Sequence, residues 1–427
     1  MNKKKTTDAF RYPAFRSYFA IRFFFTMAYQ MQATVIGFYI YELTHSKVAI
    51  AFTGLSEIIP AIGAALYAGY VSDRCEKRKM LLLIYAGVLF TSLILLVATL
   101  PGLRPYMPSG RILIVIYSVL FLNGIARAFY EPATFSLLGH SVPRDVYPNA
   151  SNWNNVSWQV AFILGPAAGG FLYAIGGSAL AGGAGLSVTF AAISLLLLLA
   201  LLLVFRLEKY PAVYTEQETP RQSIVAGIRF VLGHKIMLYA MSLDLVSVLF
   251  GGVTALLPVY AIDLLHVGAA GLGVMRMTFS AGAALTMLLL VRYPPLARPW
   301  RNLLIAVAGF GCAIIGFGVA QTFILSLVFL FAQGAFDSVS VIIRSTLLQL
   351  LTPYKMRGRV SAINSVFIGS SSEIGNFESG MAARLLGTVP AVLFGGGMTL
   401  LIAGLTWIQT RKQLRLSLEE LTAGQEN

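Results

Sequence analysis

The sequence is poor in charge. Of its 427 residues only 12% are Asp, Glu, Lys or Arg, about half the share of roughly 25% that is usual in soluble domains. This shortage excludes a soluble enzyme. Hydrophobic residues make up 57% of the chain, about 240 residues, which is enough for about twelve helices at roughly 20 residues per bilayer crossing. Together with a mean hydropathy of +0.74, the composition predicts an all-α polytopic membrane protein.

Cysteine and histidine are also scarce, with 2 and 4 residues. No Cys/His cluster has the spacing of metal ligands, and no glycine-rich loop has the pattern that binds phosphates. The sequence therefore predicts no metal, no cofactor and no use of ATP. Cys75 falls in a basic loop and Cys312 in an apolar run, which disfavours a disulfide and leaves the compartment open.

Apolar stretches bounded by charge, Gly or Pro predict twelve transmembrane spans. The longest polar stretch, 206–235, predicts a cytoplasmic linker between two six-helix lobes, 1–205 and 236–410, followed by a cytoplasmic tail, 411–427. The predicted spans are 17–41, 49–71, 79–100, 111–138, 150–176, 182–205, 236–263, 268–291, 302–321, 323–350, 359–384 and 388–410.

The net charge of +14 would suggest a nucleic-acid partner in a soluble chain. Here 24 of the 32 basic residues lie at the termini or in the even-numbered loops, against four in the odd-numbered loops and four inside spans. By the positive-inside rule both termini are cytoplasmic, and the basic excess sets orientation in the inner (plasma) membrane. We therefore expect no nucleic-acid partner. The basic start of the chain precedes an apolar run without a cleavage site, which predicts a retained first helix.

The two halves of the chain are similar to each other. An ungapped match at an offset of 210 joins spans four and five to spans ten and eleven, and a second at 221 joins the ends of spans one and seven. Six spans separate the partners, so the repeats are parallel, as in two-lobed transporters. The matched pairs are Gly124 and Gly334, Pro143 and Pro353, Ser151 and Ser361, Asn154 and Asn364, Gly165 and Gly375, Gly170 and Gly380, and, at the second offset, Tyr39 and Tyr260, Leu43 and Leu264, His45 and His266.

The loop after the second span reads GYVSDRCEKRKML from Gly69. It resembles the signature loop of the major facilitator superfamily in having Gly first, Asp73 fifth, and basic residues at positions six, nine and ten, including Arg74 and Arg78. Glu76 stands where that family has a second Gly. The resemblance covers essentially the whole chain and implies a secondary transporter of two pseudo-symmetric six-helix lobes that works by alternating access.

Two further segments resemble the same family. Gly165, Pro166, Gly169 and Gly170 are similar to its antiporter motif, and the segment 352–380 looks like the bacterial drug-efflux branch that also contains siderophore exporters. This resemblance implies export of a small amphipathic compound, a drug or a siderophore. The glycines and proline also predict a kinked, closely packed helix interface.

The signature loop has a physical interpretation beside the family one. Gly69 permits close approach of a neighbouring helix, and Asp73 can accept hydrogen bonds from Arg74, from Arg78 or from a helix N-terminus. Such a cluster would latch the cytoplasmic face in one state and open in the other. The alternative is that the basic residues only fix the topology.

Ionisable residues inside spans are costly and usually face a cavity or a partner. Arg127 and Glu131 are four residues apart and share a helix face, and Asp337 and Arg344, two turns apart, also line up. Arg127 and Asp337 occupy equivalent repeat positions, so an interaction across the lobes is conceivable; the alternative is structural ion pairs. The ten residues are Arg22, Glu57, Arg127, Glu131, Asp244, Arg276, Asp337, Arg344, Glu373 and Glu378.

Acids exceed bases in this set, so we look among them for a proton-coupling residue. A partly desolvated carboxylate binds a proton more readily, which makes Glu57, Glu131 and Glu373 the candidates; Glu378, near the outer end of its span, fits a solvated role. We expect a monomer in contact with membrane lipid, a small-molecule substrate and the proton gradient as the only driving force. The rival hypotheses are an uncoupled facilitator, a lipid or metabolite carrier, a non-transporting sensor and, least favoured, a membrane enzyme.

Overall fold

The computed structural model describes residues 8–103, 106–143, 146–178, 182–207, 228–293, 295–352, 357–417 and 420, although not every side chain within those ranges. Across this part of the chain the regular structure is helical, with no strand. Apolar stretches of bilayer length satisfy their backbone groups internally, and helices achieve this. The α-helices named in this article are α1 (Pro13–Thr44), α2 (Lys47–Arg74), α3 (Lys77–Ala98), α4 (Ser109–Ser141), α5 (Tyr147–Gly176), α6 (Gly185–Phe205), α7 (Lys235–Phe250), α8 (Val253–Val259), α9 (Gly268–Arg292), α10 (Pro299–Val319), α11 (Phe323–Leu351), α12 (Arg357–Leu386) and α13 (Thr388–Gln409).

These helices confirm the predicted helical membrane fold. Each predicted span corresponds to one helix, except that α7 and α8 together form the seventh. Among the described residues, ten helical stretches are long and apolar enough to cross a membrane. The remaining two helices, α1 and α12, carry Arg22 and Glu42, and Glu373 and Glu378, inside their length. Charge within a span marks positions that serve a purpose other than contact with lipid.

The sequence predicts one continuous seventh span. In the structure its helix is interrupted at a glycine pair. α7 ends at Phe250, Gly251 and Gly252 intervene, and α8 passes into a short π-helix, Tyr260–Leu264. A Cβ on Gly252 would fall 2.5 Å from Ser379 Oγ and 2.6 Å from the Gly375 carbonyl oxygen of α12. Hydropathy does not register this break, since glycine is apolar enough to continue a span while it weakens a helix.

The matched histidines of the internal repeat adopt the same unusual backbone. His45 closes α1 with a φ of 46°, and His266 follows the π-helix with a φ of 52°. In the described part of the chain they are the two non-glycine residues with positive φ, a conformation that costs energy for a residue with a Cβ. The second sequence match therefore corresponds to a shared local structure.

The described residues fall into two compact units. The first contains residues 8–46, 55–207 and 268–277; the second contains 47–54, 228–267 and 278–420 with the gaps given above. In the first unit α1 packs on α4, α5 and α6, and α3 packs on α4 and α6. In the second, α10 packs on α11 and α13, and α12 on α7 and α13.

Each unit has a buried core and an apolar exterior. In the first, Tyr85 is fully buried beside Phe25; in the second, Trp300 is fully buried and donates its Nε1–H to Thr410 Oγ1 at 2.7 Å. Large apolar side chains remain exposed along the helices, for example Leu83 and Ile175. Exposed apolar surface on this scale is unstable in water and stable in lipid, so the helices span a membrane.

Candidate functional site

A buried carboxylate lies at the centre of the first unit. Glu57 of α2 is 8% exposed, and its Oε1 accepts a hydrogen bond from the Tyr29 hydroxyl of α1. Arg127 Nη1 of α4 lies 2.9 Å from the same oxygen. The acid is thus held by one neutral and one cationic donor from two other helices, which is how an ionised carboxylate is stabilised away from water.

Local sequence explains why these three helices meet. A Cβ on Gly124 would lie 2.8 Å from Pro60 Cγ and would collide with the Glu57 backbone carbonyl. The glycine therefore lets α4 approach α2 at backbone distance, one turn before Arg127. The side chain of Arg127 remains 37% exposed while that of Glu57 is 11% exposed.

Arg127 pairs with an acid of another helix, since its described contact is with Glu57. The side chain of Glu131, four residues after Arg127, lies outside the described residues, so the pairing that helix spacing suggests stays a prediction. Tyr29 was missed by the search for charge, although a tyrosine beside Gln30 inside an apolar span is a signal of polar lining. Of the two coupling candidates whose side chains are described, Glu57 and Glu373, Glu57 is the one in a buried polar cluster of three helices.

Arg22 lies in a different environment in the same unit. Its Nη1 donates to Thr134 Oγ1 at 3.0 Å, and its Cζ lies 5.2 Å from the centre of the Tyr130 ring. Phe25 stacks on Tyr130 at 4.2 Å between ring centres. An aromatic face attracts a guanidinium, so this cation is stabilised by a ring and a hydroxyl of α4.

The second unit contains an ion pair between Asp244 of α7 and Arg344 of α11. The two residues are 8% and 3% exposed, and Arg344 Nη1 donates to Asp244 Oδ1. Spacing on one helix suggested Asp337 as the neighbour of Arg344; the observed partner comes from another helix, while Asp337 lies within electrostatic range of both. Thr134 and Arg344 are separated by the repeat offset of 210, so α1–α4 and α7–α11 make matching polar contacts.

Three further ionisable residues inside the spans are partly buried and have polar neighbours. Glu373 Oε2 accepts from Asn376 Nδ2 at 3.3 Å and lies 2.7 Å from where a Cβ on Gly54 would stand. Glu378 is half-buried beside Ser379 Oγ at 3.4 Å. Arg276 Nη1 donates to Thr34 Oγ1 at 3.3 Å. In the ranges that the structure describes, no group of three or more His, Cys, Asp or Glu could hold a metal.

The predicted cytoplasmic gate is only partly within the described residues. Gly69, Asp73 and Arg74 belong to the last turns of α2. The surroundings of Gly69 and the side chains of Asp73 and Arg74 lie outside the described part of the structure. Arg78 Nη2 donates to the carbonyl oxygen of Phe205 at 2.6 Å. Phe205 is the last residue of α6, where free carbonyls and the helix dipole favour a cation. Arg78 therefore stabilises a helix end, and its predicted contact with Asp73 stays a prediction.

The glycines of the antiporter-like motif bring α5 close to two helices. A Cβ on Gly165 would lie 2.7 Å from Gln30 Cβ, and one on Gly169 would lie 3.0 Å from the Met31 carbonyl oxygen, both on α1. On the other side, a Cβ on Gly170 would lie 3.0 Å from Gly273 Cα of α9. The close packing expected of this motif is present, and α5 continues as a helix through Pro166. The kink stays a prediction.

Helices of bilayer length, two compact units and ionisable groups buried between helices define a polytopic membrane transporter rather than an enzyme. The chain belongs to the Major Facilitator Superfamily, whose family model matches residues 18–376.

Curated relatives match nearly the full chain. It is 27% identical over 412 residues to the enterobactin exporter EntS of Citrobacter koseri, covering 95% of this chain and 93% of the relative. It is 28% identical over 411 residues to EntS of Shigella boydii, with the same coverage.

Solved structures share the fold at low identity. A POT family transporter in complex with 5-aminolevulinic acid superposes with a TM-score of 0.72 at 13% identity, covering 94% of this chain and 97% of that one. A D-xylose-proton symporter gives 0.69 at 16% identity, covering 95% and 98%. These likenesses establish the major facilitator fold.

Proposed function

We propose that this transporter exports a small amphipathic compound of the siderophore or drug class, driven by protons that move in the opposite direction. The observation that carries the proposal is the similarity to enterobactin exporters over 95% of the chain. We place the protein in the inner membrane with both termini cytoplasmic, because basic residues concentrate in the termini and even-numbered loops. It acts as a monomer, without a cofactor and without nucleic acid.

The cluster of Tyr29, Glu57 and Arg127 supports proton coupling. An ionised Glu57 is an acceptor for hydroxyl or amine donors of a substrate. A proton on Glu57 removes that charge and loosens its ion pair with Arg127. Substrate and proton then exclude each other at one carboxylate, which is the requirement for exchange. Glu131 and Glu373 remain the alternative carriers.

The proposal is tested by flux measurements on purified protein in proteoliposomes. We expect uptake of enterobactin or of a cationic dye when the lumen is made acidic, and loss of uptake when a protonophore collapses the gradient. Transport that persists unchanged without a gradient would show an uncoupled facilitator. A complete lack of flux for both compounds, in protein that binds them, would favour a non-transporting sensor.

A screen in cells complements the flux assay. A deletion strain is expected to secrete less siderophore or to become more sensitive to amphipathic drugs, and a plasmid copy is expected to restore the parental behaviour. Unchanged secretion and unchanged sensitivity would contradict the assignment of this substrate class.

A further inference from the structure

A small cavity lies in the second unit beside the ion pair of Asp244 and Arg344. It has a volume of about 10 Å³, and Asp244, Ser247, Asp337 and Ser340 form its polar wall. A polar cavity of this size holds about one water molecule when two or more partners are present. Two carboxylates and two hydroxyls satisfy that condition.

The polar groups of the wall differ in how well they are partnered. Asp244 pairs with Arg344, and Ser247 Oγ donates to the Leu243 carbonyl oxygen at 2.6 Å. Within the described part of the chain, Asp337 and Ser340 make no hydrogen bond or ion pair, and Ser340 is 7% exposed. Ser340 is buried, Asp337 is partly buried, and both line the cavity. Polar groups removed from bulk water nearly always have a partner, so these two indicate a molecule that the cavity receives.

The charges around the cavity do not balance. Arg344 stays protonated, so the three ionisable residues carry one net negative charge when both aspartates are ionised. The described groups that act electrically on Asp337 are Asp244 of α7 and Arg344 of its own helix; α10 contributes the uncharged Val307 and Phe310. One proton makes the set neutral, which favours its binding in an apolar surrounding.

We propose that Asp337 is a second proton-binding site, which exchanges its proton with a water molecule in this cavity and thereby directs Arg344 to one aspartate or the other. With the proton on Asp337, its hydroxyl donates to the water and Arg344 holds Asp244. When the water accepts the proton and passes it on towards the solvent, the Asp337 carboxylate competes for Arg344, two turns away on the same helix. The ion pair of Asp244 and Arg344, which joins α7 to α11, then weakens. The only covalent bonds that change are O–H bonds.

The site is separate from Glu57, which belongs to the first unit. Its use in transport rests on the proposed proton coupling, whereas its existence does not. The proposal also explains why a second acid lies near an ion pair that is already satisfied.

Infrared spectroscopy of the purified protein in lipid nanodiscs tests the proposal, since protonated carboxyl groups give a distinct C=O stretch. Across a pH titration, Asp337→Asn is expected to remove one carboxylic-acid band. Glu378→Gln, which changes a half-buried acid outside the cavity, is the matched control and should leave that band in place. A titration of Asp337→Asn identical to the wild type overturns the proposal.

Two more variants separate the proton site from a merely structural role. Ser340→Ala removes one partner of the water and should shift the frequency of the band without removing it. Asp244→Asn frees Arg344 for Asp337, so the pH at which the band disappears should change. If Asp337→Asn fails to fold, these two variants decide, and an unchanged band in both overturns the proposal.

Transport assays on the same preparations distinguish the two proposals. A band that Asp337→Asn removes, in a protein whose flux ignores the pH gradient, supports this site and contradicts the proposed coupling. Proton-driven flux in the wild type, together with the absence of any band that depends on Asp337, supports the coupling and overturns this site.

Discussion

Arg127 Nη1 of α4 lies 2.9 Å from Oε1 of Glu57, an acid 70 residues earlier in the chain. The Tyr29 hydroxyl donates to the same oxygen, so three helices of the first unit meet at one carboxylate. A charge held in this way responds to a single proton, because neutralising Glu57 removes the attraction that holds Arg127. The first two predictions follow from this relationship.

Glu57→Gln is expected to abolish proton-driven efflux and to weaken substrate binding, because the amide resembles the protonated acid that excludes the substrate. The amide has nearly the size of the carboxylate but cannot exchange a proton in the physiological range. Reconstituted protein provides the measurement, with flux recorded under an imposed pH gradient and binding recorded without one. Glu373→Gln tests the alternative carrier in the same assay.

Glu378→Gln is the control for both substitutions. This residue is half-buried near the end of α12 beside Ser379, and we expect its variant to transport like the wild type. Full concentrative transport by both Glu57→Gln and Glu373→Gln would show that neither acid carries the proton.

Tyr29→Phe is expected to reduce proton-driven flux. A hydrogen bond to a charged group contributes about 1.5–3 kcal/mol, so without this donor the contact that joins α1 to Glu57 of α2 is weaker. Flux recorded under a fixed pH gradient measures the loss.

Tyr173→Phe is the matched control for Tyr29→Phe. The Tyr173 hydroxyl also donates to a glutamate, Glu42, in the same unit, and its loss should leave proton-driven flux unchanged. Equal losses of flux in the two variants would mean that removal of a buried hydroxyl has a general effect unrelated to Glu57.

The buried pair of Asp244 and Arg344 predicts strong non-additivity. Arg344→Met leaves Asp244 buried without its partner, which costs about 3–5 kcal/mol. Asp244→Leu should cost less, because Arg344 then pairs with Asp337. The double variant removes both charges of the pair and should be more stable than Arg344→Met. Thermal denaturation of the variants in detergent measures the order; a double variant less stable than Arg344→Met would contradict the pairing.

Gly165→Ala is expected to destabilise the first unit by about 1–3 kcal/mol, the usual cost of overpacking. The added Cβ would stand 2.7 Å from Gln30 Cβ and 3.0 Å from the Met27 carbonyl oxygen, so α1 must move away from α5. Gly87→Ala on α3 is the control, because its Cβ would meet nothing within 4 Å. Thermal denaturation of the two variants should separate them clearly, and equal melting temperatures would contradict the close packing.

The fold was largely predictable because a membrane span is a run of consecutive apolar residues, which can be recognised in the sequence itself. Runs of apolar residues closed by charge or Pro located the spans to within a few residues, and the offset of 221 anticipated the shared backbone of His45 and His266. The break at Gly251 was missed. A glycine pair does not lower hydropathy enough to end a span, and its effect depends on the backbone of α12 that packs against it.

The candidate site was predictable as a set of residues but not as a set of contacts. Spacing shows only which side chains share a helix face, and it therefore suggested Asp337 as the partner of Arg344. The partner observed for Arg344 is Asp244 of α7. The hydrogen bond from Tyr29 to Glu57 was not predicted for the same reason, since it depends on how α1 packs against α2. Contacts between helices follow from small residues such as Gly124, whose neighbours cannot be read from one sequence.

The interrupted seventh span consists of two short helices joined at Gly251 and Gly252. Asp244 lies on the first helix, and Tyr260 begins the π-helix at the end of the second. Because the joint has no Cβ, it lies against the backbone of α12, where a Cβ on Gly252 would stand 2.6 Å from the Gly375 carbonyl oxygen. The ion pair with Arg344 and the close contact with α12 are thereby assigned to separate parts of one membrane crossing.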